Sequence, residues 1–248
     1  MKVTVIGYWG GYPASGSATS SYLVEKDGYS LLVDCGSGAL SRLQPFKEIM
    51  DLDAVILSHY HQDHIADIGV LQYAWLVQNT INEKEQVLPI YGHTGDEAAF
   101  DNLTHQYTRG TAYNPEETLY LGPFSIEFNK TSHPIPCYGM KICDSTDTVV
   151  YTADTSYNDG WASFARRADL LITDTNFYKG MDGSGPGHMT SEEAATIARD
   201  AGVEALWLSH LPHFGQHTRL KQEAEDVFQG SIQLAKEGLT WKKDPNKL

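Results

Sequence analysis

His59, His61, Asp63 and His64 fall within the six residues HYHQDH, directly after the apolar run DAVILS. Three imidazoles and a carboxylate so close together are donors suited to a borderline-soft divalent cation. On an extended chain His59 and His61, two apart, share one face. Asp63 and His64 follow where the chain turns toward a helix and can aim a second pair of donors. Solvated surface histidines would explain any one of these residues, but not the set at the end of a buried strand.

Six residues cannot close two metal sites, so further donors must come from elsewhere. His133 in TSHPIPCYGMKI, Asp154 in VVYTADTS and His210 in ALWLSHLPH are the candidates. Each stands at the end of an expected strand, where α/β sheets place their ligands. A carboxylate at Asp154 could bridge two ions. Taken singly, each of the three could equally be structural.

The elements that must position them alternate along the chain. Strands are expected over 2–7, 20–25, 30–34, 54–58, 88–91, 124–128, 139–142, 149–152, 170–173 and 203–209. After His64, the spacing of Ile65, Ile68, Leu71, Trp75 and Leu76 predicts a helix. A second helix is expected in TSEEAATIARDAG, with Thr190 and Glu193 as a capping box, Ile197 and Ala198 facing inward and Gly202 as the stop. A last helix is expected over 220–234, broken near Gly230. Segments 83–86 and 114–117 read as exposed surface. No repeat or linker divides the chain, which reads as a single α/β unit over 1–248.

The formal net charge is −14, from 18 Lys+Arg against 32 Asp+Glu. That balance repels polyanions and argues against long nucleic acid as a partner. A small anionic substrate remains compatible, because bound cations dominate the local field. The start of the chain has no secretory signal, and no apolar run is long enough to span a bilayer, so a cytoplasmic location and no membrane partner are expected. Cys35, Cys137 and Cys143 form no C-x-x-C pair, which argues against a disulfide framework. Cys137 lies near His133 in sequence but reads as a buried thiol rather than a ligand.

The ordered series VDCGSG, LSHYHQDH, SHPIPCYGMKI, YTADTS, GHMTSEEAA and LWLSH resembles the metallo-β-lactamase superfamily, and within it the ribonuclease Z-like branch. The resemblance runs essentially the whole length. It implies a four-layer αββα sandwich with two mixed sheets and metals at one edge. It also implies that His59, His61 and His133 hold one ion, that Asp63, His64 and His210 hold the other, and that Asp154 bridges them. Asp34 in VDCG would orient a ligand histidine. Zinc is favoured by the His-rich shell, with manganese or iron as alternatives. Many relatives dimerise, so a homodimer is an option, though no interface stands out.

Two divalent ions with Asp63 and Asp154 leave a positive centre, which favours an anionic substrate. Activated water beside such a pair is phosphodiester-hydrolysing chemistry. His188, in GPGHMTSEEAA just before the capped helix, stands where backbone N–H groups favour anions. In the ribonuclease Z-like branch a histidine of this motif acts at the scissile phosphate. His188 is therefore the candidate proton donor, Asp174 in LLITDTNFY the candidate to orient it, and Asp63 a ligand counted with the catalytic set. A loop histidine and a strand-end carboxylate are the plainer readings of those two.

Two departures from ribonuclease Z bear on substrate. No long arm separates His133 from Asp154. Leu211-Pro212-His213-Phe214 stands where the family has a Phe-Ser-then-Arg pattern. Transfer RNA is disfavoured, and a small phosphodiester, such as a cyclic nucleotide or short oligonucleotide, is expected. Segment 76–121 would cover the site, with His105, Tyr107 and Tyr113 placed to stack on a base. The alternatives are a carboxylic ester, thioester or lactone hydrolase, and a non-catalytic metal-binding module.

Overall fold

The computed structural model describes residues 1–243. One sheet begins with β1 (Lys2–Gly7), β2 (Ser21–Lys26), β3 (Tyr29–Val33), β4 (Ala54–Ile56), β5 (Leu88–Gly92) and β6 (Thr108–Ala112). The other contains β7 (Leu119–Leu121), β8 (Phe124–Lys130), β9 (Tyr138–Cys143), β10 (Thr148–Tyr151), β11 (Leu170–Asp174), β12 (Ala205–Ser209) and β13 (Ser231–Leu234). β14 (Thr240–Lys242) returns to the outer edge of the first sheet beside β1, so each sheet has seven strands. Both sheets are mixed, with β3–β4–β5–β6 parallel in one and β10–β11–β12–β13 parallel in the other.

Strand alternation builds the four layers. Leu31 and Val33 of β3 point between the sheets, with Val3, Ile126, Ile142 and Ile172, whereas Leu32 points the other way. That outer face is covered by α1 (Ala39–Leu43) and α3 (Ile68–Ile81), which bury Leu40, Leu43, Leu71 and Trp75. Each of these large side chains is worth about 1.5–3 kcal/mol in removed apolar surface. On the second sheet, Val150, Leu171 and Leu206 pack under α5 (Gly160–Phe164), α6 (Ser191–Ala201) and α7 (His217–Glu225). The result is the expected αββα sandwich.

The ten expected strands form, with ends shifted by a residue or two. The helix after His64 is two helices, α2 (Gln62–Ile65) and α3, separated by Ala66 and Asp67. α6 has the Thr190–Glu193 capping box, and Gly202 closes it in the left-handed conformation at φ 66°. α4 (Glu97–Asp101) is an additional short helix.

The last expected helix is corrected. Helical structure ends at Glu225, and residues 231–234 form strand β13 parallel to β12. Ser-Ile-Gln-Leu alternates, and Ile232 packs into the core under α7. That tertiary slot outweighs the continued helical spacing. No helix is long and apolar enough to cross a membrane among the described residues.

Candidate metal centre and active site

The site lies at the C-terminal ends of parallel strands from both sheets. β4 leads into His59, β10 into Asp154 and β12 into His210, while β11 ends on Asp174. Several of these strand ends turn sharply through left-handed backbone: φ is 57° at Asp34, 52° at Ala153 and 51° at His210. Such conformations are costly for residues with a β-carbon and are held by their surroundings.

Two donor groups form around Asp154. His59, His61, His133 and Asp154 bring their donor atoms within 4.8 Å of one another, as do Asp63, His64, Asp154 and His210. In the first group His61 Nδ1 lies 3.2 Å from His59 Nε2 and 3.0 Å from His133 Nε2. In the second, His210 Nε2 lies 3.1 Å from Asp63 Oδ2 and 3.4 Å from Asp154 Oδ2. His64 Nε2 and Asp154 Oδ1 are 3.2 Å apart, yet neither finds a hydrogen-bond partner of acceptable geometry. Buried polar atoms in that state are costly unless a cation takes them up. The donor set therefore fits divalent metal.

The electrostatics agree with that fit. Burial, and then the charge of its neighbour His64, hold the His59 pKa well below the usual imidazole range. Burial also lowers His61 and His133, so the first group presents neutral imidazoles. Around Asp154 the balance reverses. Burial favours neutral His64, but the carboxylates of Asp154, Asp34 and Asp63 outweigh it and raise its pKa. Burial would raise the Asp154 carboxyl too, yet His210 and His64 hold it well below its ordinary value.

The residues behind the donors fix their orientation. Asp34 is fully buried; its Oδ1 accepts from Ser58 N–H, and its Oδ2 accepts from Ser58 Oγ, Tyr151 OH and His64 Nδ1, all at 2.8–2.9 Å. His133 Nδ1 donates to the Gly187 carbonyl at 3.1 Å. Gly36 of VDCGSG has no room for a side chain: a β-carbon there would lie 2.0 Å from the Asp63 carbonyl oxygen.

His188 and Asp174 form a third cluster with Asp154 and His210. His188 Nδ1 donates to Asp174 Oδ2 at 2.7 Å, which leaves Nε2 for the cleft that His188 lines. Asp174 is itself pinned by the Thr155 N–H at 3.1 Å. The His188 and His210 rings stack with centroids 5.0 Å apart. Burial lowers the His188 pKa, but Asp174 outweighs burial and raises it. Cys137 joins neither donor group; it is buried in the core between the sheets, its thiol on the Asp154 carbonyl.

The donors open onto a cleft of about 450 Å³ whose walls are not those expected. Tyr113 is buried, its OH donating to the Leu57 carbonyl and its ring stacked on Phe128. Tyr107 packs half-buried against the core on the outer face of the first sheet, and exposed His105 pairs with Thr108. None of the three lines the cleft. Residues 108–112 continue the sheet as edge strand β6, and no residue of 76–121 lines the cleft. The cleft is walled by Gly10–Tyr12, Asn176 and Pro212–Phe214. The Gly10-Gly11 doublet was the available signal: a β-carbon at Gly10 would lie 2.4 Å from Asn176 Nδ2 and 2.8 Å from the His210 ring.

The pattern of the family described as "Beta-lactamase superfamily domain" matches residues 29–211. The "Probable metallo-hydrolase YhfI" of Bacillus subtilis (strain 168) is 53% identical over 242 residues, covering 97% of this chain and 99% of that protein. The crystal structure of the YhfI metallo-beta-lactamase fold protein superposes with a TM-score of 0.96 over 97% of this chain and 98% of that one. A ribonuclease Z of Methanopyrus kandleri is 28% identical, with 96% of each chain covered. A diphosphatase from the PhnP family shares the fold at 20% identity, with a TM-score of 0.78 and 98% of each chain covered.

Proposed function

Because the chain is a metallo-hydrolase of the beta-lactamase superfamily, with ribonuclease Z among the relatives that match it end to end, we propose that it hydrolyses a small phosphodiester at a two-metal centre. The observation that carries this reading is the His188–Asp174 pair, standing beside the second donor group and lining the cleft. What two bound divalent ions, most simply zinc, supply is activation of water and stabilisation of charge on the attacking and leaving oxygens. His59, His61 and His133 would hold one ion, Asp63, His64 and His210 the other, and Asp154 both.

The chain's own residues then have distinct tasks. Asp174 fixes His188 with Nδ1–H toward itself, so a proton carried on Nε2 points at the leaving oxygen. Proton donation to an alkoxide is the step that separates ester and phosphodiester leaving groups from good ones. Asp34 and Gly187 hold His64 and His133 in the tautomers that ligation needs. Only β9, β10 and their turn separate His133 from Asp154, leaving no arm to grasp transfer RNA.

The test is hydrolysis of bis(p-nitrophenyl) phosphate by protein of known metal content, before and after chelation and with Zn²⁺ or Mn²⁺ restored. Turnover should require metal. With metal content unchanged, His188→Ala should lower kcat by about 10²–10⁴-fold for a dinucleoside monophosphate, whose leaving group is an alkoxide. The loss should be far less for the p-nitrophenyl ester, whose phenolate departs unprotonated. No turnover with two metals bound would instead favour carboxylic esters, thioesters or lactones.

A further inference from the structure

The cleft has an aromatic wall for which the hydrolytic step has no use. The Tyr12 and His213 rings lie parallel, with centroids 3.7 Å apart and planes at 5°. His213 stacks in turn on Trp9 at 4.5 Å and 12°. The His213 ring is locked in place because Nε2–H donates to the Tyr12 carbonyl at 2.6 Å. Tyr12 ends this column and is 60% exposed.

The column is also fixed to the metal centre. The Gly11 N–H donates to Asp63 Oδ2 at 2.8 Å, so Tyr12 sits one residue from a group that holds a donor carboxylate. A rigid aromatic face, already stacked on one side and open on the other, loses little freedom when a planar ring completes the stack.

Charge narrows the ligand further. Among the described residues no lysine or arginine lines the cleft. Arg219 and Lys179 line the neighbouring hollow behind Phe214, where they are paired with Glu223 and Glu192. In a chain of net charge −14, no lysine or arginine of the cleft, among the described residues, offsets a second phosphate.

We propose that the open face of Tyr12, backed by His213, is a stacking subsite, and that the substrate is a singly charged phosphodiester bearing one aromatic ring such as a nucleobase. The inference rests on the phosphodiesterase reading and chooses the mononucleotide-sized substrate over the oligonucleotide.

Two measurements on metal-loaded protein test it. The first compares kcat/KM, read as methanol release, for thymidine 5′-methyl phosphate and ethyl methyl phosphate, which share charge and leaving group and differ in the one aromatic ring. The wild type should prefer the nucleoside ester by at least about 5-fold, the lower end of what one stacked base contributes. Tyr12→Ala should bring the ratio toward one, and Tyr12→Phe should keep it. A ratio near one in the wild type, or one unmoved by Tyr12→Ala, would overturn the subsite. The methyl ester of pTpT, with one more phosphate, should release methanol more slowly than the mononucleotide ester; a faster reaction would overturn the single-charge limit.

The second measurement needs no turnover: calorimetric binding of methyl phenylphosphonate against dimethyl phosphate, both monoanions. A preference for the aryl anion that Tyr12→Ala removes, in a protein that cleaves none of the esters, would uphold the subsite and defeat the phosphodiesterase reading. Cleavage without aryl preference would do the reverse.

Discussion

Asp34 Oδ2 accepts the His64 Nδ1 proton at 2.8 Å, so a carboxylate outside the donor groups decides which nitrogen of His64 faces Asp154. The remaining lone pairs of Asp34 are filled by Ser58 and Tyr151. Every partner of this carboxylate can donate, and the residue is completely buried. The arrangement ties the ends of β3 and β4, neighbours in the first sheet, to β10 of the second sheet across the core.

Asp34→Asn keeps the shape and removes the charge, which turns that logic against the site. An amide must direct an N–H at one of four donors, and His64 can answer by moving its proton to Nε2, the nitrogen needed for ligation. The expected outcome is about a 10–100-fold loss of affinity at the second metal position, with the first position less affected. Competition against a chelator, read as two metal equivalents released in separate steps, checks this. Two equivalents retained with wild-type affinity would refute it.

Gly36→Ala tests how tightly the backbone behind Asp63 is packed. The new methyl would sit 2.0 Å from the Asp63 carbonyl oxygen and 2.2 Å from Thr19 Oγ1. Threonine can rotate away, but the carbonyl belongs to the first turn of α2 and cannot move without carrying the Asp63 side chain with it. The expected cost is at least about 3 kcal/mol, the upper end for overpacking. In a chain of this length it should lower Tm by roughly 6–12 °C. Calorimetry of the metal-free protein reads this directly, and an unchanged Tm would show that the α2 turn yields.

Much of this centre is legible in the sequence because its donors are written as local runs. HYHQDH places four donors in one stretch, and VDCGSG, YTADTS and LWLSH each end a strand that alternation or apolar character makes visible. The His188–Asp174 contact is legible only as a pairing of two motifs, since 14 residues and a loop separate them. The cleft wall was not legible. Tyr12 and His213 are 201 residues apart, and neither belongs to a periodic element. Their meeting depends on β1 and β12 ending at the same edge, joined through the Gly10 N–H to Leu211 carbonyl bond. Strands β13 and β14 were hidden for a related reason: each is a short edge strand whose pairing partner, not its own pattern, makes it a strand.

Glu223 links α7 to the segment that carries His188, and its ionisation should show in stability. Its carboxylate accepts from Ser191 Oγ at 2.5 Å, from the Lys179 N–H at 2.9 Å and from Arg219 Nε at 2.7 Å. Ser191 opens α6 three residues after His188, and Lys179 lies on the loop leading from Asp174. Burial would raise the Glu223 pKa, but the Ser191, Lys179 and Arg219 donors outweigh it and lower the value. A carboxyl whose pKa is depressed by folding stabilises the native state above its unfolded pKa of about 4.3. That contribution is lost as pH falls through the depressed folded value. Glu223→Gln should therefore cost about 1.5–3 kcal/mol at pH 7, the range for hydrogen bonds to a charged group, and progressively less below pH of about 4. Denaturant unfolding of wild type and variant across that range measures the gap. A gap that stays constant with pH would mean that the shape of Glu223, not its charge, holds the His188 segment against α7.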